Sequence, residues 1–239
     1  IIIPYDKTVK NKDKITAILI KEDGTRETVG GVYDNLTKTV KFLTNEPGKF
    51  AIEEGTKEFE DIAKHKWARE AIESMAVKGV IDGKDNNQFD PSANITRAEF
   101  SALISRSLKY NEASNNKVPF TDIDSAKWYY GSIVSVYENG LINGRAEEIF
   151  DPEGSITREE MAKIIGKVLE NNYYKEQDKE ELNKFEDNTS ISPWAEKGTA
   201  TATYNGIING DNGNFKPRKN ATRAETAVML YRLYELIMD

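Results

Sequence analysis

The chain of 239 residues has no cysteine and a single histidine. The first absence excludes disulfides and thiolate metal sites, and it is compatible with export from a Gram-positive type of cell. No run approaches eighteen consecutive apolar residues, so no segment reads as a membrane span. Cations are the minority charge, 33 Lys and Arg against 40 Asp and Glu, for a formal charge of −7. That balance argues against nucleic acid as a general partner, because phosphate binding normally needs a basic surface. A local arginine cluster could still hold an anion. No initiator Met or signal-peptide pattern is present, and the opening Ile1-Ile2-Ile3-Pro4 reads as the excised end of something longer. A composition 38% hydrophobic and 31% charged is that of an ordinary globular protein.

What the chain does have is repetition. A segment of about forty-six residues is written three times, from Phe59, Phe120 and Phe185, and units of that length usually stack to bury their apolar faces. Residues 1–55 differ in texture. Ile15 to Ile20 and Thr39 to Leu43 favour β structure, with turn signals at Asp23-Gly24 and Asp34-Asn35. They read as two or more antiparallel strands ending a preceding domain, marginal unless packed against the repeats. Residues 56–236 then form a triplet, with copies at about 59–109, 120–170 and 185–236.

Each copy predicts two helices around an irregular loop, and the fold class is mainly α. Ala68, Ala71, Ile72, Met75 and Ala76 keep the helical spacing in copy one, with Gly79 as the stop; Ile133, Val136, Tyr137 and Gly140 answer in copy two. In copy three Gly198, Thr199, Thr201 and Thr203 have low helix propensity, so that helix must rely on packing. Asp82-Gly83, Asn143-Gly144 and Asn209-Gly210 suit tight turns with positive φ. Phe89, Phe150 and Phe215 follow, each two residues before a proline that steers the chain into the second helix. One apolar stripe per second helix (Phe100, Leu103 and Ile104; Met161, Ile164 and Ile165; Met229, Leu230 and Tyr234) suggests a shared core. The repeated phenylalanines are assigned to packing. The connectors Lys109 to Pro119 and Glu170 to Lys184 read as exposed linkers.

Every second helix opens on Thr-Arg-x-Glu. Thr96 with Glu99, Thr157 with Glu160 and Thr222 with Glu225 have capping-box spacing. Arg97, Arg158 and Arg223 stand at the first helical position, where the macrodipole disfavours a cation by about 0.3–1 kcal/mol. An anionic ligand would find unpaired amides there and a guanidinium fork that grips a carboxylate in two places. The alternative is a structural pairing, with Asp61, Asp122 or Asp187 of a neighbouring copy. Trp67, Trp128 and Trp194 open the first helices; such a residue is more often core than site, although at a rim it can stack on a sugar or lie beside arginine.

Taken together these residues resemble the S-layer homology family, the wall-anchoring modules of bacterial surface proteins. The marks are Phe-x-Asp, Trp, Gly at the helix end, Asn/Asp-Gly, Phe-x-Pro and Thr-Arg-x-Glu, in order and three times, from residue 59 to about 236. The resemblance implies a pseudo-threefold bundle whose three second helices form a central spindle, with grooves between copies. It implies that the grooves hold a secondary cell wall polymer, a peptidoglycan-linked polysaccharide bearing pyruvylated N-acetylmannosamine. Arg97, Arg158 and Arg223 would contact the ketal carboxylate, the tryptophans with the backbone near Gly83, Gly144 and Gly210 would shape the pocket, and Asp61, Asp122 and Asp187 join the candidate ligand-binding residues. A secreted protein of the cell wall or S-layer follows, non-catalytic and needing no metal or cofactor, with no nucleic acid and no membrane insertion. The segment 1–55 is similar to the β-rich stretch that often precedes such triplets.

Two departures stand out. Lys216 replaces Asp90 and Asp151, implying a third groove that is weaker or serves mainly to close the bundle, and Glu159 adds a negative charge beside Arg158 that would lower anion affinity. Three other readings stay open. A wall-polysaccharide enzyme would use paired carboxylates, but none is marked by motif, and His65 is matched by Ala126 and Ser192. Calcium would need an ordered loop, which Asp82, Asp85, Asn86 and Asp90 do not supply. A lattice-assembly protein and an anchored enzyme are equally compatible with the triplet.

Overall fold

A computed structural model describes residues 1–84, 87–111 and 118–238. The chain divides into two compact units, one of residues 1–93, 106–111 and 223–239, the other of 94–105 and 112–222. This division does not follow the sequence boundary at residue 55: the β-rich segment shares its unit with the start of copy one and the end of copy three.

Among the described residues of the first unit six short strands form two antiparallel sheets. β1 (Ile2–Pro4), β5 (Thr39–Lys41) and β4 (Val32–Asp34) make one in the order β1-β5-β4; β3 (Arg26–Gly30), β2 (Ile15–Ile20) and β6 (Lys49–Glu54) make the other in the order β3-β2-β6. Both turns expected from the sequence are present. Gly24 turns β2 into β3 with φ +84°, and the Asp34 carboxylate accepts the Leu36 amide at 2.7 Å. The sheets are not left alone. α1 (Lys66–Val77) and α6 (Arg223–Met238) pack on one another in the same unit. Tyr234 of α6 accepts the Gly31 amide at 2.8 Å, and Ser74 of α1 donates to the Asp13 carbonyl at 2.7 Å. Lys78 is wholly buried and donates to the Gly31 and Ile15 carbonyls at 2.8 and 3.3 Å. Burial pushes its ammonium below the ordinary lysine range.

The second unit carries α3 (Tyr130–Glu138), α4 (Arg158–Asn171) and α5 (Glu196–Tyr204), together with most of α2 (Arg97–Ser107), which crosses the division after Ser105. Gly79 and Gly140 follow α1 and α3 with φ near +70°, the stops expected of them. The weak third first-helix does form. Residues Thr199 to Thr203 of α5 are buried, and its glycine has a use: a Cβ on Gly166 of α4 would lie 2.3 Å from the Gly198 Cα. The pair lets α4 and α5 touch backbone to backbone. The connector before copy three is less open than expected, since residues Lys179–Lys184 wind into a 3-10 helix that buries Leu182. Residues 112–117 of the other connector lie outside the described residues.

Candidate functional site

The capping boxes of copies one and two form as their spacing predicts. Glu99 accepts the Thr96 amide at 2.8 Å and Thr96 accepts the Glu99 amide at 3.1 Å; Glu160 and Thr157 repeat this at 2.7 and 3.3 Å. The expectation of unpaired helix amides is overturned. Arg97 and Ala98 donate their amides to the Gly154 and Pro152 carbonyls, Arg158 and Glu159 to Lys219 and Pro217, Arg223 and Ala224 to Ala93 and Pro91, all at 2.9–3.1 Å. Within the second unit a ring of three backbone bonds sits beside them: Ile95 to Ala221, Ala221 to Ile156 and Ile156 to Ile95, at 2.9–3.1 Å. The first amides of each second helix are thus consumed by the Phe-x-Pro loop of another copy, leaving any ligand to the side chains.

The arginines have structural work too. In the second unit, Arg97 Nε donates to the Phe150 carbonyl at 2.9 Å and its terminal nitrogens reach the Asn143 carbonyl at 2.7 Å and Glu160 at 3.3 Å. Arg158 Nε donates to the Phe215 carbonyl at 2.7 Å; in the first unit Arg223 Nε donates to Phe89 at 2.8 Å and reaches the Asp82 carbonyl at 3.0 Å. Each guanidinium also lies over that phenylalanine's ring, 4.7, 5.4 and 4.7 Å from its centre for Arg97, Arg158 and Arg223. A hydrogen bond from a charged donor contributes about 1.5–3 kcal/mol, more than the dipole cost of about 0.3–1 kcal/mol. The first helical position therefore suits arginine after all, as a strut to another copy's loop.

Asp61, Asp122 and Asp187 hold backbone amides of the loops that receive the arginines. Both oxygens of each carboxylate accept backbone amides: Phe89 and Asp90, Phe150 and Asp151, Phe215 and Lys216, at 2.6–2.9 Å. They shape the loops that receive the arginines. The turn glycines are corrected as well. Gly210 has φ +73°, but Gly83 and Gly144 do not adopt positive φ. What the three share is crowding, because a Cβ would lie 2.4–2.7 Å from Phe59, Phe120 or Phe185. Those phenylalanines and their loop partners Phe89, Phe150 and Phe215 are buried, as expected.

The tryptophans depart from the packing role that sequence favours. Trp67, Trp128 and Trp194 are 60, 59 and 50% exposed. Trp194 lines a cavity of about 300 Å³ in the second unit with Arg97, Asn143, Gly144, Arg145, Glu160 and Lys163 among its walls. Lys163 Nζ lies 5.3 Å above the Trp194 ring. Arg145 grips Glu160 with two nitrogens at 3.2 Å and extends a third to Asp151. Three cations thus face one carboxylate in the lining. Burial acts to raise the Glu160 carboxyl, but the Arg145 hydrogen bonds, the Thr157 amide and the Arg97 charge outweigh it and hold the pKa below the ordinary glutamate value. A depressed acid contributes stability above its unfolded pKa and loses it as pH falls through the folded one. Wild type should therefore exceed Glu160→Gln in urea stability at pH 6, with the gap closing below pH about 4; a gap independent of pH would contradict the assignment.

Repetition does not mark Arg145 or Lys163, because Arg145 aligns with Lys84 and Asp211, and Lys163 with Ala102 and Val228. Glu159 is buried and does not stand free beside Arg158: its oxygens accept the Ser192 amide at 2.9 Å and hydroxyl at 3.1 Å, fixing the approach to α5. Of the calcium candidates, Asp82 pairs with Arg106 and Asp90 with Lys84, each at 3.0 Å, while Asp85 and Asn86 lie outside the described residues. His65 contacts Ser92 at 3.1 Å.

Comparison with known proteins matches the three copies. The S-layer homology domain model matches residues 58–101, 119–162 and 184–227, more than half of the chain. An amylopullulanase of Thermoanaerobacterium thermosulfurigenes is 37% identical over 87% of this chain, and exoglucanase XynX of Acetivibrio thermocellus 38% over 74%. The surface-layer 125 kDa protein of Lysinibacillus sphaericus is 32% identical over 71%. The chain spans only 11, 16 and 14% of those proteins' own lengths, so the likeness concerns a module that enzymes and a surface-layer protein share. At a general level these likenesses associate the chain with the bacterial cell wall and surface. With three matched copies in register with the three arginine-bearing helices, the chain belongs to the S-layer homology domain family.

Proposed function

We propose that this chain is a non-catalytic anchor that holds a secreted protein to the cell wall or S-layer of a Gram-positive-type bacterium, by binding secondary cell wall polymer through pyruvylated, N-acetylmannosamine-type sugars. The observation that carries the reading is the Arg97 cavity: a half-exposed indole beside three cations, on a protein whose net charge is −7. A sugar ring laid on Trp194 brings its ketal carboxylate toward Lys163 and the Arg97 edge, where charge-assisted bonds form in a partly dry site. One such contact is modest. Repeated along a polymer, it gains from effective concentration. The pseudo-threefold spindle of α2, α4 and α6 is part of this proposal, supported by the backbone ring at Ile95, Ile156 and Ala221; a crystal structure in which no common axis superposes the three helices would count against it.

The non-catalytic part is supported by the lining itself. Glycosidases use two carboxyl groups flanking the scissile bond, about 5 Å or 6.5–9.5 Å apart, whereas among the described residues Glu160 is the one carboxylate in this lining and is held ionised by two arginines. The test is calorimetric titration with purified wall polymer. Wild type should bind without releasing reducing ends, and Trp194→Ala should lose about fivefold to thirtyfold in affinity for a stacking contribution of about 1–2 kcal/mol. Its stability should change by less than about 1 kcal/mol, because half of the ring is already in water. Reducing ends accumulating with time would refute the anchor reading.

A further inference from the structure

The residue after each turn glycine changes sign across the copies: Lys84, Arg145 and Asp211. All three hold the same place in their loops, for each donates its amide to the carbonyl just before the loop phenylalanine: Lys84 to Gln88, Arg145 to Ile149 and Asp211 to Asn214, at 2.7–2.8 Å. Each is also ion-paired across its loop, Lys84 with Asp90 at 3.0 Å, Arg145 with Asp151, and Asp211 with Lys216 at 2.5 Å. Copy three therefore keeps the bridge and reverses its polarity. Lys216, which the sequence presents as a lost acid, is half of an exchanged pair.

The reversal matters because the two ends of the bridge face different surroundings. Arg145 lines the Arg97 cavity and neutralises Glu160 there, while its partner Asp151 is not in the lining. The arginine of copy two meets the opposite arrangement: the loop whose Phe215 carbonyl holds Arg158 presents Asp211 at the place of Arg145. An acidic ligand is drawn to a cation at that place and repelled by a carboxylate, and like-charge juxtaposition is a strong means of exclusion. Resting on the anchoring reading above, we infer that Lys84, Arg145 and Asp211 determine which arginine sites accept an acidic saccharide, with Asp211 closing the Arg158 site.

Charge-swapped pairs test this without altering net charge or removing the bridge. The probe is a pyruvylated N-acetylmannosamine oligosaccharide in calorimetric titration. Wild type should show no more than two sites per chain. Asp211→Arg with Lys216→Asp should add one site, and Arg145→Asp with Asp151→Lys should weaken the tightest site by about tenfold or more. Asp211→Asn, the mildest change, should move in the direction of the first swap. Three equivalent wild-type sites, or isotherms unmoved by both swaps, would overturn the charge assignment while leaving the anchor intact. No wild-type binding at all would overturn the anchor and this inference with it.

Discussion

Arg97→Ala should cost about 3–5 kcal/mol of unfolding free energy in addition to abolishing saccharide binding at its cavity, the scale expected when one partner of a buried charged network is removed. Only 3% of Arg97 is exposed, and its guanidinium joins the Phe150 and Asn143 carbonyls to Glu160. Truncation leaves two carbonyls without that donor and removes one of the two arginines that pair with Glu160. Arg97→Lys should recover part of the stability and little of the binding, since a single ammonium cannot follow the fork that meets Phe150, Asn143 and Glu160 at once. Urea unfolding monitored by far-UV circular dichroism reads the first quantity. A loss below about 1 kcal/mol for the alanine variant would mean that the strut is not structural.

Gly166→Ala should be nearly as damaging, at about 3 kcal/mol, although it adds one methyl group and improves helix propensity. The new Cβ would meet the Gly198 backbone at 2.3–2.9 Å, where no flexible side chain can yield. α5 must then move away from α4. Because Lys163 stands on α4 and Trp194 just before α5, the walls of the Arg97 cavity should separate and affinity should fall together with stability. Gly140→Ala is the control. It meets nothing within 4 Å and carries only the strain of φ +68°, about 1 kcal/mol, with binding unchanged. Equal thermal shifts for the two variants would show that the α4–α5 contact is looser than the geometry indicates.

What the sequence disclosed was local. Thr96 and Glu99, or Thr157 and Glu160, can satisfy one another across three residues, so the start of α2 and of α4 follows from residue identity alone. The partners of Arg97 and Ala98 lie more than fifty residues away, at Gly154 and Pro152, and no spacing rule announces them. For that reason the helix N-termini read as open to an anion when another copy's loop already closes them. Trp194 illustrates a second limit: a large apolar side chain is assigned to a core by default, and only the surrounding packing reveals a half-exposed indole. Gly198 shows a third, since low helix propensity read as weakness is a condition of the backbone contact between α4 and α5. Arg145 and Lys163 were hidden by the repeat itself, which draws attention to what is shared, whereas these residues are peculiar to copy two.

The measurement that tests the central claim most directly is binding of this protein to native wall polymer and to the same polymer stripped of its pyruvate. A carboxylate held by Arg97 and Lys163 beside Trp194 predicts that depyruvylation lowers affinity about tenfold or more, as expected when charge-assisted bonds worth about 1.5–3 kcal/mol are removed. Equal affinity for both polymers would contradict the account.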